Sequence, residues 1–200
     1  MMTDTKPRLI GLAGTAGAGK DTVAEILCRL YGAENLSTGD FVRSVTRHIY
    51  RLAPDFNPVR DQLYEVATFL RTEINPATTV KMCILQAEVL HIDRALITGI
   101  RSMGEADAIH AQGGIIIGVD ADPKVRYERI FSRQRDSEAQ KTFEQFLAQD
   151  EHENKGVSET GDGRGVRTII EGADVLIQNE GNTLAELEAY LCEKLDPLFR

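Results

Sequence analysis

The segment GTAGAGKDT, from Gly14 to Thr22, constrains this chain more than any other. An apolar run, Leu9 to Ala13, precedes it. After Lys20 comes DTVAEILCRLYG, where Val23, Ile26, Leu27 and Leu30 recur at helical spacing until Gly32 stops them. Strand, glycine-rich loop and helix in that order build an anion cradle. Gly14, Ala16, Gly17, Ala18 and Gly19 carry little or no side chain, so successive backbone N–H groups can turn inward. The helix that starts near Asp21 points its positive dipole end at the same place. Lys20 adds an ammonium group that reaches the β- and γ-phosphates of a triphosphate tail. ATP is the expected donor ligand.

Such a tail travels with Mg²⁺. The residue after a cradle lysine is usually Ser or Thr, whose hydroxyl holds the ion; here Asp21 stands there and Thr22 follows. Both are candidate metal residues. Asp21 reads equally well as a Mg²⁺ partner through water and as a helix N-terminal acid favoured by the dipole.

Further strands are expected around Asn35 to Ser37, at Ala95 to Thr98, over IIIGVD after Gly113-Gly114, and at Asp174 to Gln178. Everything from Gly39 to His91 reads as helical, broken by Pro54, Pro58 and Pro76. Ser102 with Glu105 and Thr183 with Glu186 form capping boxes, and Asp122 with Pro123 opens VRYERIFSR. Strands alternating with helices predict a single α/β domain over residues 1–200. It would be a P-loop NTPase of three layers, α/β/α, with a parallel sheet of about five strands. Residues 39–91 would be a helical acceptor-binding region. The polar stretch Gln134 to Arg167, including SETGDGRG, would be a mobile, lid-like segment.

A net charge of −8 over 200 residues argues against affinity for nucleic-acid backbones or anionic membranes. Cys28, Cys83 and Cys192 are odd in number and lack metal-ligand spacing, which fits a reduced interior. With LIGLAG too short for a signal peptide or a membrane span, a cytoplasmic protein is expected. His48, His91, His110 and His152 do not cluster.

Leu36-Ser37-Thr38-Gly39-Asp40-Phe41-Val42-Arg43 resembles the stretch in adenylate kinases where the second strand runs into S-T-G-D-x-x-R. That resemblance nominates Thr38 and Arg43 as contacts to an acceptor nucleotide. Gly99-Ile100-Arg101 is similar to the D-G-x-x-R turn of the same kinases, which implies that Arg101 grips the acceptor phosphate. Arg129 and Arg133, four apart, resemble the arginine pair at a nucleotide kinase's lid entrance; Arg135, Arg164 and Arg167 match more loosely. GKDT, GIRS, VDADPKVRYERI and ADVLIQNEG together resemble a group of archaeal and bacterial proteins labelled adenylate-kinase-like or dephospho-CoA-kinase-like. GKDT is also similar to phage-type deoxynucleoside monophosphate kinases. Two departures stand out. Thr98 replaces the Asp that precedes G-x-x-R, with Asp93 at the other end of that strand and Asp120 ending the next. Phe143 to Gly156 lacks an arginine-rich lid sequence.

The expected activity is transfer of the γ-phosphoryl of ATP to a small nucleotide, most simply a nucleoside or deoxynucleoside monophosphate. Lys20, Arg101, Arg129 and Arg133 would act on the group in flight, and Thr38, Asp40, Arg43 and Arg101 on the acceptor. Asp40 separates mechanisms: a phosphate acceptor needs no base, whereas a hydroxyl acceptor such as a CoA precursor benefits from one. Asp40 also fits a plain helix cap. A nucleotide-dependent switch without an acceptor is the reading from another class.

Overall fold

The computed structural model describes residues 8–132, 142–154, 165–181 and 183–200. Five strands form one parallel sheet: β1 (Leu9–Gly14), β2 (Glu34–Ser37), β3 (Ala95–Thr98), β4 (Ile115–Asp120) and β5 (Val175–Gln178), in the order β2-β3-β1-β4-β5. Register is tight through the centre, with Leu12 beside Thr98 on one side and Ile117 on the other. Because the central strands β1, β3 and β4 are covered on both faces, their sequences run largely apolar without alternation. Ile10, Leu12, Leu96, Ile117 and Val119 pack with helix α1 (Lys20–Tyr31) and the C-terminal helix, while Ala95, Ile97 and Ile116 meet the helices of the opposite layer. Burying one such Leu or Ile contributes about 1.5–3 kcal/mol, so the paired layers explain why the strands hold together.

That opposite layer holds α4 (Thr78–Val89), α5 (Met103–His110) and α8 (Val166–Glu171). Between β2 and β3, α2 (Thr38–Ile49), α3 (Arg60–Phe69) and a π-helical turn (Leu70–Ile74) precede α4. They enclose a small core of their own, Val42, Val66 and Leu70. The expected helical stretch is therefore four pieces, interrupted over residues 50–59 and 75–77, where the prolines lie. The π turn leaves no pattern in the sequence.

Helix α6 (Pro123–Ser132) follows β4, and its first turn is capped by Asp122, which accepts from the Lys124 N–H at 2.8 Å. The stretch expected to be lid-like, Gln134 to Arg167, contains one whole helix among the described residues and meets the start of a second at its end. One is α7 (Phe143–Asn154), anchored by Phe143 and Phe146 against Tyr127; the other is α8. Most of SETGDGRG falls outside the described residues. Helix α9 (Leu184–Phe199) closes the fold, its capping box formed by Thr183 and Glu186 as expected. Among the described residues no helix is long and apolar enough to cross a membrane.

Candidate functional site: a phosphate cradle and a facing arginine cleft

The loop from Thr15 to Gly19 joins β1 to α1. Gly17 (φ 78°) and Gly19 (φ 85°) occupy the left-handed region, which costs other residues strain. A second reason for glycine is proximity. A Cβ at Gly17 would stand 2.6 Å from the Arg126 carbonyl oxygen, and one at Gly19 would stand 2.4 Å from Asn179 Nδ2. Both contacts come from behind the loop.

From that side the loop is also tied. Arg126 Nη1 donates to the Ala16 carbonyl at 3.3 Å, and Asn179 Nδ2 to the Ala18 carbonyl at 2.7 Å. In a planar trans peptide the next N–H points opposite to the C=O. Drawing the Ala16 and Ala18 carbonyls backward therefore turns the Gly17 and Gly19 amides toward the hollow. The Thr15 hydroxyl donates to Asp120 Oδ1 at 2.7 Å, and Ala18 N–H to the Thr15 carbonyl at 3.2 Å. Asp120 thus serves the loop from the end of β4.

Arg126, fully buried, anchors this backing. Both its Nη atoms reach Asp150 of α7 at 2.6 Å, its Nε donates to the Ala121 carbonyl, and its guanidinium lies 5.4 Å from the centre of the Phe146 ring. One planar fork therefore joins β4, α6, α7 and the loop. Arg126, Asp150 and Asn179 are site residues that the sequence reading missed. The signal was present for one of them: Asp150 lies four residues after Phe146 on one buried face of α7, so an acid continues an apolar stripe.

In front of the loop, Lys20 Nζ sits 2.5 Å from Asp21 Oδ1. Thr22, half-buried, lies one residue further along α1. No group of three or more His, Cys, Asp or Glu able to hold a metal exists among the described residues. A Thr hydroxyl and one carboxylate beside an amide cradle suit Mg²⁺, which takes few protein ligands and rests mainly on phosphate oxygens and water. They do not suit a metal that needs a full protein cage.

A cleft of about 840 Å³ opens beside the loop, and Lys20, Asp21, Thr38, Asp40, Arg43 and Arg101 all line it. These residues come from α1, α2 and the turn after β3, so the fold gathers most of the acceptor residues expected from sequence. Their roles differ in detail. The Thr38 hydroxyl donates to the Gly99 carbonyl at 2.9 Å, so Thr38 fixes the Gly99-Ile100-Arg101 turn. Asp40 is not the helix cap: Ser37 is, its Oγ accepting from the Asp40 N–H at 3.3 Å. The Asp40 carboxylate instead accepts from Arg43 Nη2 at 2.7 Å, with its side chain 70% exposed.

Arg101 projects from a locked main chain. Its N–H donates to Glu105 Oε2 at 2.7 Å, Ser102 N–H reaches the same oxygen at 3.2 Å, and the Thr79 hydroxyl donates to the other carboxylate oxygen. Glu105 is almost wholly buried, so the box expected for helix capping also sets the origin of the Arg101 side chain. Thr98, where an acid was expected, donates to Asn35 Oδ1 at 2.9 Å. Asp93 lies at the far end of β3, paired with Arg8.

Arg129 stands at the cradle rather than the cleft. Its Nη2 donates to the Gly181 carbonyl at 3.1 Å, while Nη1 is buried without a hydrogen-bond partner among the described residues. Arg133, Arg135 and Arg164 lie outside the described residues, and Arg167 is exposed on α8. His110 pairs with Asp174 at 2.8 Å, far along the sheet edge. Burial pushes the Asp174 carboxyl upward, but bonds from the Ile116 N–H and His110 outweigh it and hold it below its ordinary value. Cys28, half-buried on the cleft wall, has a thiol pushed up chiefly by burial.

A family profile described as AAA domain (AAA_18) matches residues 10–154. None of the curated proteins matches the chain. Among solved structures, TT1252 from Thermus thermophilus is similar at TM-score 0.53 and 21% identity, over 94% of this chain and 98% of that one. An uncharacterized protein from Eubacterium ventriosum gives TM-score 0.53 at 14% identity, over 94% and 98%. Shikimate kinase from Bacteroides thetaiotaomicron gives TM-score 0.50 at 14% identity, over 92% and 96%. At these identities the likeness is one of fold, a P-loop kinase-like α/β/α sandwich.

Proposed function

The chain belongs to the AAA domain family AAA_18, and we propose that it is an ATP-dependent phosphotransferase acting on a small nucleotide, most simply a nucleoside or deoxynucleoside monophosphate. The observation that carries this reading is the single cleft in which Lys20 meets Arg43 and Arg101 across about 840 Å³. The donor's phosphates would rest on the amides of the Gly14–Gly19 loop and on Lys20, with Arg129 beside them, whose Nη1 has no hydrogen-bond partner among the described residues. Thr22 and Asp21 would hold Mg²⁺, which would supply charge neutralisation there. Arg43 and Arg101 would hold an anionic acceptor in line, and guanidinium forks suit phosphate oxygens. Positioning and charge account for most of the chemistry in such a transfer. Substrates would be small and the setting cytoplasmic, with no role for nucleic acid or membrane.

A second reading, phosphorylation of a hydroxyl such as that of a CoA precursor, has one observation in its favour. Asp40 is released from capping by Ser37 and presents its carboxylate to the cleft, where it can accept a proton. The deciding experiment is a coupled ADP-release assay with nucleoside monophosphates, deoxynucleoside monophosphates and dephospho-CoA. Stimulation by a monophosphate that survives Asp40→Asn supports the first reading. A response to dephospho-CoA alone, lost in Asp40→Asn, selects the second. A flat response to every acceptor refutes both and leaves a nucleotide-dependent switch.

A further inference from the structure

Helix α4 is apolar on both sides. Val80, Cys83, Ile84 and Ala87 face the sheet and α5, all buried. On the opposite side Met82, Leu85 and Val89 are 39%, 48% and 67% exposed, at spacings of three and four, which place them on one outward stripe. A helix with an apolar stripe on each of two opposite sides ordinarily has both stripes covered. Along one flank of the stripe stand Lys81 and Glu88, both exposed. Seven residues apart, they fall within about 20° of each other around the helix axis, one on each side of Leu85. Neither has an ion-pair partner among the described residues.

We propose that this stripe is the contact surface of a homodimer, in which a second copy lays its own α4 antiparallel across it about a two-fold axis at Leu85. A two-fold interface must be self-complementary, residue i meeting j while j meets i. The stripe meets that demand. In an antiparallel pair of helices like flanks face each other, so Lys81 meets Glu88 of the partner subunit, twice, and Met82 meets Val89 of the partner subunit around a Leu85–Leu85 centre. A parallel pairing would instead set Lys81 and Glu88 against the apolar flank that carries Met82 and Val89 of the partner subunit, leaving both charges unpaired. Because the chain carries a net charge of −8, two copies repel at long range, and two reciprocal Lys–Glu contacts supply local compensation at a surface that is also apolar. On its inner side the same helix places the Thr79 hydroxyl on Glu105, the residue that holds the Arg101 amide. A partner on the outer face would therefore stiffen the turn that carries the cleft arginine.

Sedimentation velocity on the full-length chain tests this. A concentration-dependent dimer is expected, which Leu85→Glu converts to monomer while the far-UV circular dichroism spectrum stays unchanged. Lys81→Glu or Glu88→Lys alone should weaken the dimer by roughly tenfold or more, and the two exchanges together should restore it. Both charges are exposed, so this arm stands even if Leu85→Glu misfolds. A monomer at every concentration overturns the proposal. So does a dimer indifferent to Leu85→Glu, or a charge exchange that fails to rescue.

Discussion

Asp150→Ala removes one half of a buried ion pair without touching the cradle itself. Arg126 is 0% exposed, and both its Nη atoms lie 2.6 Å from the Asp150 carboxylate. Once that carboxylate is gone, the guanidinium keeps the Ala16 and Ala121 carbonyls and Asp120 at 3.6 Å. Breaking a buried pair from one side costs about 3–5 kcal/mol. The remaining contacts place the expectation at the lower bound, about 3 kcal/mol. At about 2–4 °C per kcal/mol for a domain of this size, the Tm should fall by about 6–12 °C. Replacing both partners, Arg126→Met with Asp150→Leu, leaves no stranded charge and should recover most of that loss. The double variant nonetheless gives up the bond to the Ala16 carbonyl, so its ATP affinity should remain depressed. Circular dichroism melts with parallel isothermal titration separate the two effects. A Tm shift under about 2 °C for Asp150→Ala, or a double variant no more stable than the single one, would refute the assigned role of this pair.

Lys20→Ala should reduce turnover by roughly 10²–10³-fold, the cost of deleting one transition-state charge contact. Arg101→Ala should raise the acceptor KM by about tenfold or more with ATP affinity intact; loss of ATP affinity in its place would overturn the acceptor assignment. Gly17→Ala should abolish nucleotide binding by calorimetry, since its Cβ would meet the Arg126 carbonyl at 2.6 Å and its φ of 78° disfavours any side chain. The lowered Asp174 pKa means a stabilising contribution that is present above the unfolded value, near about 4, and lost as pH falls through the folded one. Acid titration of Asp174→Asn should accordingly show a flatter stability loss below that pH than the native chain. Cys83 should be the slowest of the three thiols to react with an aromatic disulfide in the folded protein. Burial pushes it up to about 11, which leaves a thiolate fraction of about 10⁻³ at pH 8.

What the sequence revealed follows the range of the interactions. The Ser102–Glu105 and Thr183–Glu186 boxes close within three residues, and a three-residue interaction is written in adjacent letters. Strand β4 was legible because a parallel strand buried on both faces leaves an uninterrupted apolar run. Asn179 holds Ala18 across 161 positions, and Thr15 holds Asp120 across 105. Nothing in the letters around either partner marks such a meeting. In VRYERIFSR the four-residue spacing drew attention to Arg129 and Arg133, whereas burial selects Arg126, one turn earlier. A periodic pattern states which residues share a face. It does not state which face the neighbouring helix will cover, and α7 decides that for α6.

The same distinction explains the arginines and the acids beside them. Lys20 rests on Asp21, and Arg43 on Asp40, each pair formed by residues one or three positions apart. A cleft that gathers an ammonium and two guanidinium groups would repel itself without nearby carboxylates, and short-range pairing supplies them from the helices that carry the cations. Any phosphate that enters competes with those carboxylates for the same donors. Binding is then an exchange of one anion for another, with the net gain set by how many donors the phosphate engages at once. Exposed pairs such as Arg43 and Asp40 hold by little, about 0–1 kcal/mol, so a bidentate phosphate contact displaces them readily. Arg126 is the contrasting case. Its carboxylate partner is buried and its fork is fully used, so on the proposed reading it would stay with the protein and keep the cradle in shape while the exposed cations changed partners.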